Sequence, residues 1–208
     1  MARVKILSIR FIPRGTPALT AALGAPEGYP SLGLITTDCD DATYIALDAA
    51  TKAADVAVCY ARSFYAGAAN ASTPNAGEVI GILAGPTPGA VRSGMDAVIA
   101  VLEGLQFSEV CGVPFLAHTV ASVGSFLARE AGVKRGTALA YLIAPPLEGM
   151  YAMDYAMKAA DVKLCKLYAP PSETNFGGGL LSGSQSACEA ACRAFADAVA
   201  EVAARPKE

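Results

Sequence analysis

The chain of 208 residues has a single histidine, His118, and none of its six cysteines stands in a CxxC pair. Zinc sites and dithiol redox motifs need those spacings, so neither class fits this sequence. No apolar run reaches 18 residues before a Gly, Pro or charge breaks it, and the start, MARVKILSIR, has no small-residue cleavage site. A soluble, intracellular chain with reduced thiols and no place in a lipid membrane is expected. Basic charge is scarce too: 16 Lys and Arg against 19 Asp and Glu leave a net charge of −3, which argues against a nucleic-acid partner. Neither GxGxxG nor GxxxxGK[ST] follows a strand pattern, and the GGG at 177–179 is expected to precede a strand rather than open a helix, so no phosphate cradle is seen. No nucleophile has an evident base near it in sequence, which makes an enzyme the weakest reading.

What the chain does have is surplus apolar residues, 53% against 17% charged, and an internal repeat. ALDAATKAADVAVC (46–59) recurs 106 positions later as AMDYAMKAADVKLC (152–165), with nine of fourteen positions identical. Upstream, 23–35 answers 131–143; downstream, 81–103 answers 179–202 with the offset reduced to about 98. A period near 100 residues is that of a small domain, not of a solenoid. The expected boundaries are 1–107 and 108–208. Apolar surplus together with duplication points to surface buried in an oligomer.

Within the first repeat, strands are expected over 4–11, 31–37, 56–62 and 77–85, and helices over 15–24, from Asp40 or Asp41 to Asp55, and from Thr87-Pro88 onward. The second repeat reruns that order from about Pro114, its last helix opening with a capping box from Ser186 to Glu189. Cys188 and Cys192 share a helix face with Phe195 and Val199, and all six cysteines are expected to be small buried residues. The fold class is α/β (α+β), with two antiparallel sheets, each with flanking helices. The connection from Ser63 to Ala76 is rich in Gly, Ala and Asn and of a length usually associated with function; its counterpart is APPSETNFGGG. Asp38, Asp40 and Asp41 crowd before a helix, and Glu78 follows the long loop. Capping accounts for one of the three aspartates, and so many like charges need a cation or a hydrogen-bond donor between them.

The helix pattern DxAxKAADV, the later Gly-bearing strand and the GAVRSGMDA helix resemble the shell-protein domain of bacterial microcompartments. The strand and helix that precede the signature strand in each copy, with SLGLITTDCDDATYIALDAATK, RSFYAGAA, AYLIAPPLE and PPSETNF, resemble the permuted tandem shell proteins of ethanolamine-utilisation compartments. The segment 104–114 and the first 30 residues match that pattern least. The resemblance implies a structural, non-enzymatic shell component: a homotrimer mimicking a hexamer, with other shell proteins and encapsulated ethanolamine-pathway enzymes as partners. It implies a substrate site for ethanolamine at Asp40, Glu78, Asp41 and Phe107. It also implies a gated central pore formed by loop residues Ala66, Gly67, Ala68, Ala69 and Asn70 of one repeat and Asn175, Phe176, Gly177, Gly178 and Gly179 of the other. Lys52 and Lys158, which could equally be solvated helix lysines, become tile-edge contacts. No cofactor is required, and cobalamin is a candidate further ligand that no residue marks. A propanediol-type tandem shell protein and a small-molecule-binding regulator are the alternative readings.

Overall fold

The computed structural model describes residues 2–207, without the side chains of Ala2 and Gln106. The chain divides into two compact units, Arg3–Leu105 with Gly124–Leu127, and Gln106–Val123 with Ala128 onward and Ala2. A two-residue strand, β1 (Ala2–Arg3), precedes the elements of the first unit: β2 (Ile6–Ile12), α1 (Pro17–Ala22), β3 (Ser31–Thr37), α2 (Asp40–Ala53), β4 (Ala57–Ser63), β5 (Val79–Gly85) and α3 (Pro88–Gly104). The sheet order is β2-β3-β5-β4, antiparallel throughout. Ile35, Leu47, Leu83, Met95 and Leu102 fill its core. Small residues let the helices approach the sheet: a Cβ on Gly81 would lie 2.7 Å from Leu47, and one on Gly33 would lie 2.7 Å from Val91. Thr87 caps α3, its side chain accepting from the Ala90 N–H at 3.1 Å with Pro88 in the first turn, as its sequence predicts.

The second unit holds β6 (Gln106–Val110), β7 (Val113–Val120), the last turn of α4 (Ser125–Ala131), β8 (Ala138–Ala144), α5 (Pro146–Ala159), β9 (Val162–Tyr168), β10 (Gly177–Gly183) and α6 (Gln185–Ala204). Its sheet runs β1-β6-β7-β8-β10-β9, so β7-β8-β10-β9 repeats the β2-β3-β5-β4 order of the first unit. Leu142, Met153, Leu181, Phe195 and Val199 form its core with Cys188 and Cys192. Strand β6 was not expected. It pairs with β7 through Cys111 and Gly112, both at positive φ (51° and 80°), the backbone that a two-residue hairpin requires.

Four expectations need correction. Asp40 does not cap α2: Cys39 is the N-cap, and both aspartates lie in the first turn, where the helix dipole favours negative charge. Ser184, not Ser186, caps α6, accepting from Ala187 at 3.1 Å, and with Ala187 at the third helical position there is no capping box. Gly177, Gly178 and Gly179 do not belong to a loop; they are the first residues of β10, buried and paired with β8, and the second loop is 169–176. Finally, the cysteines are not uniformly buried: Cys111 is exposed at its hairpin tip, and Cys39, Cys59 and Cys165 are half-buried.

Candidate functional site

The loop after β4 and the start of α2 meet on a carboxylate pair in the first unit. Strand β3 ends at Thr37, whose hydroxyl accepts the Cys39 N–H at 3.2 Å and turns the chain into α2. That turn buries Asp40 and Asp41. Asp40 Oδ1 accepts the Asp41 N–H at 2.8 Å, and Oδ2 accepts the Ser63 hydroxyl, from the end of β4, at 2.6 Å. Tyr44, one turn along α2, lies 2.5 Å from Ser63 Oγ; because the Ser63 proton is directed at Asp40, Tyr44 donates.

Glu78 is held just before β5 by two backbone bonds: its N–H donates to Thr37 at 2.7 Å, and its carbonyl accepts from Phe64 at 2.8 Å. Its carboxyl faces Asp40. Burial, the Asp40 charge and a hydrogen bond to Asp40 push the Glu78 acid up to about 8, while the backbone N–H groups of Ala68 and Asp40 pull the other way. The two carboxyls therefore share a proton in neutral solution, Glu78 donating to Asp40. The donors that like charges need are present: Ser63, Ala68 and two N–H groups of α2. Asp38 is held apart from the pair, accepting the Lys5 N–H at 2.7 Å.

The loop over 64–76 packs against this pair. Gly67–Asn70 makes one turn of 3-10 helix entered from Ala66 at φ 60°. A Cβ on Gly67, itself at φ +62°, would lie 3.3 Å from the Glu78 carboxyl carbon. On the loop's far side a cleft of about 440 Å³ is lined by Lys5, Asp38, Ala71, Thr73 and Gly77. The expected acidic site and the first expected pore loop thus share one hydrogen bond, from Ala68 to Glu78. Phe107 is half-buried on β6, in the other unit.

The second repeat lacks this chemistry. Pro146, Met150 and Phe176 stand where Asp40, Tyr44 and Glu78 do, and Met150 and Pro170 pack around Gly177, each about 3.1–3.2 Å from where its Cβ would be. Lys52 and Lys158 each pair with the aspartate four residues before, Asp48 at 3.4 Å and Asp154 at 2.5 Å; Lys158 is the more exposed. Among the described residues no group of three or more His, Cys, Asp and Glu could hold a metal. Burial pushes the Cys59 and Cys192 thiols up to about 11 and raises Cys39 and Cys188 as well, the reverse of an activated nucleophile. The sequence reading missed Ser63 and Tyr44. Their signal was present: hydroxyls at a strand end and one turn inside the helix opened by the acidic cluster.

A model of the BMC domain matches residues 31–114. The bacterial microcompartment shell protein EutL of Clostridium perfringens is 55% identical over 99% of this chain and 97% of its own length. That of Salmonella typhimurium is 48% identical over 99% and 96%. The crystal structure of ethanolamine utilization protein EutL from Leptotrichia buccalis superposes with a TM-score of 0.97 at 53% identity, covering 100% of this chain and 97% of that one.

Proposed function

The chain belongs to the EutL family of bacterial microcompartment shell proteins, and from that premise we propose that three copies form a shell tile that admits ethanolamine at Asp40 and Glu78. One arrangement carries the site: Glu78 is half-buried and packed against Asp40, and burial together with the Asp40 charge pushes its acid up to about 8. Such a pair lacks one positive charge, and an ammonium supplies it. Ethanolamine brings that ammonium together with a hydroxyl that can bond to Ser63 or Tyr44. Asp41, buried beside Asp40, adds to the negative field.

Ethanolamine has four heavy atoms. At a ceiling of roughly 1.5 kcal/mol per atom it gains about 6 kcal/mol, so Kd stays above tens of micromolar. Weak binding suits a passage, because a tightly held molecule would not leave. The trimer follows from the duplication: six repeats of one fold need three chains. Ala66–Asn70 and the 169–176 loop border the larger aperture in this reading, with Phe176 at its end. Lys158, the more exposed of the two helix lysines, is the better candidate for contact with neighbouring tiles, other shell proteins or enclosed enzymes. Cobalamin remains a ligand to be tested at the larger aperture.

Sedimentation equilibrium should return three times the 21.2 kDa chain mass; a monomer at micromolar concentration would contradict the tile. Calorimetry should detect ethanolamine binding that weakens in the Asp40→Asn, Glu78→Gln double variant while the mass is unchanged. Equal affinity in the variant would remove the site and leave the tile standing.

A further inference from the structure

The hydroxyls of Tyr44 and Ser63 are ordered in one direction. The Tyr44 phenol donates to Ser63 Oγ at 2.5 Å, and the Ser63 hydroxyl donates to Asp40 Oδ2 at 2.6 Å. The other carboxylate oxygen, Oδ1, accepts the Asp41 N–H at 2.8 Å. Both oxygens of Asp40 are thus engaged as acceptors, which is the bonding of an ionised carboxylate. Glu78 faces it as the donor.

This relay is anchored at its far end. Tyr44 is half-buried, and its ring meets that of Phe126 with centroids 5.8 Å apart. Phe126 lies in the segment Gly124–Leu127, which is tied to α2: Asp48 accepts the Gly124 N–H at 2.7 Å and the Leu127 N–H at 2.8 Å, and Thr51 Oγ1 accepts the Ser125 N–H at 2.9 Å. A hydroxyl that already accepts a hydrogen bond is itself the stronger donor, so Tyr44 strengthens the bond from Ser63 to Asp40. The two repeats add an independent observation. Ala169 stands 106 positions after Ser63, as Pro146 and Met150 do after Asp40 and Tyr44, and Phe176 replaces Glu78. The hydroxyls are present in the repeat that has the carboxyls and absent from the repeat that lacks them.

We propose that Tyr44 and Ser63 are positioning residues for the cation site: their relay holds Asp40 as the ionised member of the pair and leaves the shared proton on Glu78, so that an ammonium meets one carboxylate of fixed place. The inference rests on the ammonium site proposed above. Without the relay the proton can sit on either carboxyl, and the ammonium finds its anion on either side. The oxygens of Tyr44 and Ser63 keep lone pairs for a ligand's hydroxyl. Asp41 and the Cys39 thiol also face the pair from the start of α2, the thiol raised by burial and by the charges of Asp41, Asp40 and Glu78. From the loop the Ala68 N–H reaches Glu78, and Asp38 is turned to the Lys5 N–H. With that much negative charge gathered, loss of a donor to Asp40 raises the pH at which the pair gives up its proton.

The test uses the intact chain. Ser63→Ala breaks the relay, and Ser63→Thr restores a hydroxyl in a residue suited to a strand. Tyr44→Phe keeps the ring against Phe126, removes only the O–H, and carries the test should Ser63→Ala fail to fold. By calorimetry in neutral solution, ethanolamine should bind roughly tenfold more weakly to Ser63→Ala and roughly threefold more weakly to Tyr44→Phe, with Ser63→Thr close to the parent. The pH at which affinity rises should move upward in the same order. A second readout needs no ligand: carboxyl NMR of the labelled chain should show the titration near pH 8 on Glu78 alone in the parent, and divided between Glu78 and Asp40 in Ser63→Ala. Parent-like affinity and pH dependence in Ser63→Ala and Tyr44→Phe, or a parent-like NMR titration in Ser63→Ala, would overturn the relay and leave the ethanolamine site standing. A parent that binds no ethanolamine would overturn the site, and the NMR titration alone then decides the relay.

Discussion

Glu78 makes the carboxylate pair sensitive to pH in a definite direction. Its acid lies near 4.5 without the fold and near 8 within it, so between those values the folded chain holds a proton that the unfolded chain has lost. Stability therefore falls as pH rises through that window, and the strain is complete above about 8. Glu78→Gln, neutral and of the same shape, should melt a few degrees above the parent at pH 9 and close to it at pH 5, measured by calorimetric Tm. A variant with the parent's pH dependence would show that Glu78 is not the titrating group. At the proposed site an ammonium binds the doubly ionised pair best, so ethanolamine affinity should rise between pH 6 and 8.5 and proton release should accompany binding. Asp48 is the second decisive residue. It is fully buried and accepts two backbone N–H groups, so Asp48→Ala should cost about 2–4 kcal/mol in denaturant unfolding, one unsatisfied donor accounting for 1–3 of that.

At the scale of elements, β10 explains why its glycines were misread. A GGG run suggests freedom, yet Gly178 has φ +152° and a Cβ there would lie 1.9 Å from the Leu142 carbonyl oxygen; at Gly179 the nearest atom, the Lys166 carbonyl oxygen, would be 2.4 Å away. These glycines admit neighbouring backbone rather than permit motion. Gly178→Ala should be destabilised by several kcal/mol, against about 1–2 for Gly28→Ala, which has positive φ but nothing within 4 Å; equal losses would refute the close-approach argument. The strands β3, β4 and β5 and the buried stripe of α3 were legible because period-2 runs and Val91, Met95, Val98 and Leu102 at helical spacing leave few alternatives. Strand β6 was not, because its polar QFSEV is a strand only through pairing with its neighbours β1 and β7. The closeness of Asp40 to Glu78 came from family resemblance; local pattern could not bring together residues 38 apart in the chain. Ser63 and Tyr44 were visible as hydroxyls at a strand end and one turn into the helix, but only the fold shows that they meet at Asp40.

On the scale of the whole molecule, the repeat was the most legible feature, since nine identities in fourteen at a fixed offset need no structure to be seen. What the sequence concealed was the difference between the copies. The same α2 and α5 faces are covered in one unit and open in the other, and the same turn before a strand carries Glu78 in one and Phe176 in the other. That second difference bears on inheritance. In a ring of six identical domains, one codon change is read out at all six positions. In a duplicated chain it is read out at three alternating ones. A lineage can change the charge at Glu78 in three of the six copies while the three that carry Phe176 stay apolar.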